Sequence, residues 1–161
     1  MTDPAPAKKS DPAEKKVLVI DDDEGITQVI RVTLDLEGFQ VRVARDGRAI
    51  LKRALDFMPD LIITDLMMPG GGGYELIRSL QTDNSTRKIP ILMITGHHMD
   101  DSTKTMIEQE PNIVGFFEKP FRPERLVQKI HHVLNTTSRQ ERQEKDQSKA
   151  GPTSYDDIFR V

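Results

Sequence analysis

Five short apolar strands alternating with five amphipathic helices predict an α/β fold, a doubly wound five-stranded parallel sheet with helices on both faces. Three observations carry that expectation. The runs Lys16 to Ile20, Leu61 to Asp65 and Ile89 to Ile94 are continuous, apolar and rich in β-branched residues, as strands buried on both faces must be. The segments between them repeat apolar residues at helical spacing and stop at Gly38 or Pro59. The strands end on polar or charged residues, Asp21, Asp65 and Thr95 among them.

Taken in order, residues 1–14 combine Pro, Ala and balanced charge without apolar periodicity and are expected to form a disordered leader. Lys16 to Ile20 is the first strand, cut off by Asp21-Asp22-Asp23-Glu24. Ile26, Val29, Ile30 and Leu34 form the stripe of a first helix, from Glu24 to Glu37. Phe39 to Val43 alternates as a second strand, and Ala49, Ile50, Ala54 and Leu55 mark a second helix. After the third strand, Pro69 and Gly70 to Gly73 lead into a helix over about Tyr74 to Gln81. The fourth strand, Ile89 to Ile94, is followed by a weakly patterned helix over Asp101 to Gln109. Ile113 to Phe117 is the fifth strand, and Pro123 opens a last helix carrying Leu126, Val127, Ile130, Val133 and Leu134. The body spans 15–135. The polar remainder, 136–161, either extends the last helix as a solvated stalk or is disordered, with disorder and some helical fraying expected. Its end, Ser154 to Val161, turns apolar again and reads as a short docking motif, a cloning remnant or a plain disordered end.

Composition narrows the function. A net charge of −3 argues against non-specific nucleic-acid binding, which needs a basic excess. No apolar run approaches the ~20 residues of a membrane span. There is no cysteine, hence no disulfide and no thiolate metal site. A cytoplasmic protein is expected, with no nucleic-acid or membrane partner.

In a parallel sheet the carboxyl ends of all strands share one edge, where open α/β folds place ligands. That edge gathers Asp21 and Asp22, Asp65, Thr95 and Lys119. Clustered carboxylates repel one another, and a hard cation such as Mg²⁺ resolves the repulsion. The lysine offers a point charge and the threonine a hydroxyl to a phosphoryl oxygen, and an aspartate can itself accept a phosphoryl group. Read singly, Asp21 to Glu24 could be a helix cap, Asp65 a turn residue and Lys119 a surface lysine; together they make a site. His97-His98 and His131-His132 are expected at the surface, and Met67, Met68 and Met93 in packing or loop roles.

Four stretches, Val17-Leu18-Val19-Ile20-Asp21-Asp22-Asp23, Ile63-Thr64-Asp65-Leu66-Met67-Met68-Pro69, Met93-Ile94-Thr95-Gly96 and Glu118-Lys119-Pro120-Phe121, together resemble the receiver domain of two-component response regulators. The resemblance covers about 15–135 and implies a flavodoxin-like fold. It implies that Asp65 accepts phosphoryl from a histidine kinase or a histidine phosphotransfer protein. It places Mg²⁺ on Asp21, Asp22, Asp65 and the Met67 backbone carbonyl, and puts Thr95 and Lys119 against the phosphoryl group. It makes Phe116 a switching aromatic and Lys119-Pro120 a cis peptide. The sequence departs from the family in its four glycines after Pro69, which imply a mobile loop. It also departs in a slightly long stretch between Thr95 and Lys119, and in Pro111-Asn112-Ile113, where Asn112 can still take the left-handed conformation that glycine commonly supplies.

The leading expectation is a stand-alone phosphoacceptor, not an enzyme in the turnover sense. It would be read by a separate protein on the fourth helix, fifth strand and last helix. The alternatives are a relay intermediate, a receiver-shaped interaction module without phosphoryl turnover, and a Mg²⁺-dependent phosphohydrolase. The last needs a second acid two residues after Asp65, where Met67 stands.

Overall fold

The computed structural model describes residues 5–68, 71–96 and 98–150. The elements are a 3₁₀ turn (Pro12–Glu14), β1 (Lys16–Ile20), α1 (Glu24–Glu37), β2 (Gln40–Ala44), α2 (Ile50–Phe57), β3 (Leu61–Asp65), β4 (Met67–Met68), β5 (Gly71–Gly72), α3 (Gly73–Gln81), β6 (Ile91–Thr95), α4 (Asp101–Glu108), β7 (Ile113–Glu118), α5 (Pro123–Leu134) and α6 (Arg139–Lys149). Five strands form one parallel sheet in the order β2-β1-β3-β6-β7, the doubly wound arrangement expected, and β4 and β5 pair antiparallel as a separate ribbon.

The central strands β1, β3 and β6 are buried nearly throughout because each alternates between two cores, whereas the edge strand β2 leaves Gln40 and Arg42 exposed. Val17, Val19, Leu61, Ile63, Leu92 and Ile94 face Ile30 and Leu34 of α1 and Leu126, Ile130 and Leu134 of α5. Leu18, Ile20, Ile62, Ile91 and Met93 face Ala54, Phe57, Leu76, Ile77, Leu80 and Ile107 of α2, α3 and α4. A sheet covered on both sides has no polar face to show, so the period of two vanishes from the sequence and only the run remains.

Local chemistry sets the helix ends. The Asp23 carboxylate accepts from the Ile26 amide to cap α1, and Gly38 closes it at φ 97°, in the left-handed region. Pro123 occupies the first turn of α5, and Asp100 caps α4.

Several expectations are corrected here. Val29 and Leu55 are solvent-exposed at 45% and 37%, so the stripes of α1 and α2 are narrower than read. Asn112 does not take a positive φ; it is buried, with its side chain bonded to Gln81 and to the Ile89 carbonyl. His131 is buried rather than superficial: its ring contacts Thr136 Oγ1 at 2.7 Å and Glu37 Oε2 at 2.9 Å and packs on Phe39. Residues 139–149, expected disordered, form α6, and part of the leader is ordered: Ser10 bridges to Thr136 and Lys9 pairs with Glu141. Polar contacts explain both. Arg142 donates to the Glu37 and Thr137 carbonyls, the Arg139 amide donates to Glu37 Oε2, and Ser138 and Glu141 form a reciprocal capping box. Apolar periodicity carries no trace of such a docking. His97, Pro69, Gly70 and the terminal motif from Ser154 lie outside the described residues.

Candidate functional site

Parallel pairing of β1 with β3, and of β3 with β6, aligns the carboxyl ends of the three strands. Asp21 follows β1, Asp65 ends β3 and Thr95 ends β6. Asp21 and Asp65 are buried at 2% and 6% exposure, while Asp22 faces solvent. One oxygen from each of the three carboxylates lies within 4.8 Å of the others. Lys119, just past β7, donates to Asp21 Oδ2 at 2.6 Å and to Asp65 Oδ2 at 2.9 Å. Its own amide donates to the Thr95 carbonyl, which ties the lysine to the end of β6.

Backbone amides hold the two remaining carboxylate oxygens. Asp23 N donates to Asp21 Oδ1 and Met67 N to Asp65 Oδ1, each at 2.9 Å. The two buried acids are thus oriented from below by the chain and from above by one ammonium. Burial pushes the Asp21 carboxyl above its ordinary 3.8, against the hydrogen bonds from Lys119 and Asp23; the nearby Asp65 charge adds to the rise. Burial also works to lower the Lys119 ammonium, but its bonds to Asp21 and Asp65 outweigh this and the net shift is upward. Lys119 is thus held as a cation against both carboxyl groups.

The donor set fits a hard divalent cation. It is all oxygen, partly solvent-facing through Asp22, and too rich in negative charge to be balanced by one lysine.

Thr95 is buried at 1% beside these groups. The Met67 side chain points to solvent, 54% exposed, so its part in the site is confined to its backbone. Phe116 pairs with Met93 across β6 and β7 and packs, partly buried, on the core that holds α4. The cis peptide at Lys119-Pro120 is present.

A further positioning residue escaped sequence reasoning. Gly73 donates to the Leu66 carbonyl at 2.8 Å, and a Cβ there would come within 2.7 Å of the Leu66 backbone. Within the run of four glycines, Gly73 is therefore a position where close approach excludes a side chain. Its neighbours Gly71 and Gly72 pair with Met68 and Met67, so this part of the loop is a ribbon directly after Asp65.

Residues 17–131 match the response regulator receiver domain. The chain belongs to that family. Among curated relatives, this receiver is 32% identical over 124 residues to the DNA-binding response regulator MtrA of Mycobacterium tuberculosis, covering 77% of this chain and 52% of that protein. It is 34% identical over 123 residues to the phosphate regulon transcriptional regulatory protein PhoB of Pseudomonas aeruginosa, covering 76% and 53%. The chain thus spans about half the length of these relatives. Among solved structures, the chemotaxis response regulator CheY4 of Vibrio cholerae superposes with a TM-score of 0.67 at 33% identity, covering 74% of this chain and 98% of that one. A receiver domain protein of Clostridium thermocellum superposes at 0.65 and 26% identity, covering 75% and 94%. Receiver membership makes the chain a signalling module with an acidic pocket suited to a divalent metal.

Proposed function

We propose that this receiver is a phosphoacceptor, taking a phosphoryl group on Asp65 from a histidine kinase or a histidine phosphotransfer protein. It would then signal through protein contact. The observation that carries the reading is the bridge of Lys119 between Asp21 and Asp65. It marks an ammonium placed to meet new negative charge at Asp65, and a buried carboxylate fixed for attack by the Met67 amide.

In the transfer, an Asp65 oxygen forms a bond to phosphorus as the N–P bond of a phosphohistidine breaks. Each Asp65 oxygen accepts one hydrogen bond and keeps a second lone pair for this. Asp21, Asp22, Asp65 and the Met67 carbonyl would hold Mg²⁺, which supplies charge neutralisation to the transferring oxygens. Lys119 can leave Asp21 and follow the charge onto the phosphoryl group, and the Thr95 hydroxyl is the second protein donor at that edge. The product carries about two negative charges where Asp65 had one.

We assign output to α4, β7 and α5; a cleft of about 780 Å³ lies between β7 and α5, lined by Phe116, Phe121, Arg125 and Lys129. Incubation with acetyl phosphate and Mg²⁺ followed by intact mass measurement tests the chemistry. Wild type should gain one phosphoryl group, Asp65→Asn none, and Asp22→Ala should need more Mg²⁺, all three remaining folded. Stable labelling of Asp65→Asn would falsify the assignment.

A further inference from the structure

The edge strand β2 carries a feature that the acidic pocket does not use. Gln40 N donates to the Lys15 carbonyl and the Ala44 carbonyl accepts from Asp21 N, so these residues turn their backbone groups towards β1. Successive residues of a pleated strand face opposite ways. The N–H and C=O of Val41 and Val43 therefore point away from the sheet, of which β2 is an outermost strand. Unpaired edge groups are a template for one more strand. A cavity of about 330 Å³ lies along this edge, lined by Val41, Arg42 and Val43.

The charge around that cavity is one-sided. Arg42 pairs with Leu18 in the ladder and so belongs to the face that packs on α2, where its guanidinium lies 4.4 Å from the centre of the Phe57 ring. Arg53 of α2 lines the same cavity, and neither arginine forms an ion pair among the described residues. On the other face Val41 and Val43 join the core under α1, with Arg31 beside the cavity and only loosely paired to Asp35 at 3.7 Å. Against these three arginines the cavity has a single acid, Asp56. The whole chain carries a net charge of −3, so this basic edge runs against the overall sign.

We propose that β2 takes up an extended segment of a partner protein as a further strand, one in which Glu or Asp alternates with Val or Ile. The main chain of that segment would bond to the outward groups of Val41 and Val43. Its side chains alternate between the two faces. The acids then fall beside Arg42 and Arg53, whose N–H donors have no protein acceptor, and the β-branched residues fall beside Val41 and Val43. A second copy offering its own β2 would set Arg42 against Arg42, so the charge selects an acidic partner over self-pairing.

The probe is the capped peptide Glu-Val-Glu-Val-Glu, titrated into the isotope-labelled full chain and followed by NMR. The amide signals of Val41 and Val43 should shift, and their hydrogen exchange should slow, while Lys-Val-Lys-Val-Lys does neither. Arg42→Glu should raise the Kd about ten-fold or more, with exchange in β1 and β3 unchanged as the sign of an intact fold. Methylating the backbone nitrogens of the probe leaves its charge in place and should remove the binding. Equal binding by the methylated probe would reduce the contact to charge alone and overturn the proposal. Shifts centred on Arg125 and Lys129, or none at any attainable peptide concentration, would overturn it too. A dimer that forms through the Val41 and Val43 amides without peptide would assign the edge to a second copy, with the same consequence.

Discussion

Gly73 shows how a single missing side chain shapes the site. Alanine is the better helix former by about 1 kcal/mol, and α3 begins at this residue. The Cβ, however, would press on the Leu66 backbone at 2.7 Å, which cannot swing aside as a side-chain tip would. The clash should win, and Gly73→Ala should lose about 1–3 kcal/mol net, read as a lower denaturant midpoint with an unchanged slope. Because Leu66 follows Asp65 directly, slower phosphorylation should accompany the loss. A Gly73→Ala protein of wild-type stability would mean that β4 and β5 yield easily. The acids themselves were legible from their place at strand ends. Gly73 was hidden in a run of four glycines that look alike in sequence, since the approach of the Leu66 backbone leaves no mark on the residue itself.

Among the elements, those held by apolar burial were read nearly to the residue, whereas α6 was missed. Glu24–Glu37 and Pro123–Leu134 coincide with their helices because each has a buried stripe and a chemical stop. α6 buries no residue and rests on hydrogen bonds to Glu37, Thr137 and Lys9. Its one sequence signal was Ser138-Arg139-Gln140-Glu141, the spacing of a capping box. His131 was likewise misplaced because its partners, Thr136 and Glu37, belong to that docking. A helix held this way is acid-sensitive. The hydrogen bond from Lys9, then that from the Ser138 amide, lowers the Glu141 carboxyl from its ordinary 4.5 to about 2. A folded-state pKa below the unfolded one means that the contribution is complete above pH 4.5 and is lost as pH falls towards 2. Amides of α6 should therefore exchange faster on acidification through that window, after correction for intrinsic rates, while those of β1 and β3 do not. In Glu141→Gln the pH-dependent part should vanish; its persistence would assign the effect to another acid.

For the molecule as a whole, the two-sided sheet separates the face that carries α1, α5 and α6 from the face that carries α2, α3 and α4. Phe116 lies on the second, next to Met93 and two positions before Glu118, which pairs with Thr95. If Thr95 moves towards a phosphorylated Asp65, the space it leaves is within reach of Phe116, and α4, β7 and α5 change together. A switch of this kind needs a differential affinity of a few kcal/mol to shift populations usefully. Phe116→Ala should leave labelling of Asp65 intact and reduce the phosphorylation-dependent gain in partner binding, measured by pull-down with and without a phosphoryl analogue. An undiminished gain would place the output on another face. The bridge between Ser10 and Thr136 has a consequence for how the molecule is made. Lys9 meets Glu141 across a separation of 132 positions, a closure that cannot form before Glu141 has been made. On the ribosome, the sheet and its five covering helices can assemble while Lys9 still waits for its partner. The two ends are then the last part of the body to be knitted, and the first that a loosening chain can release.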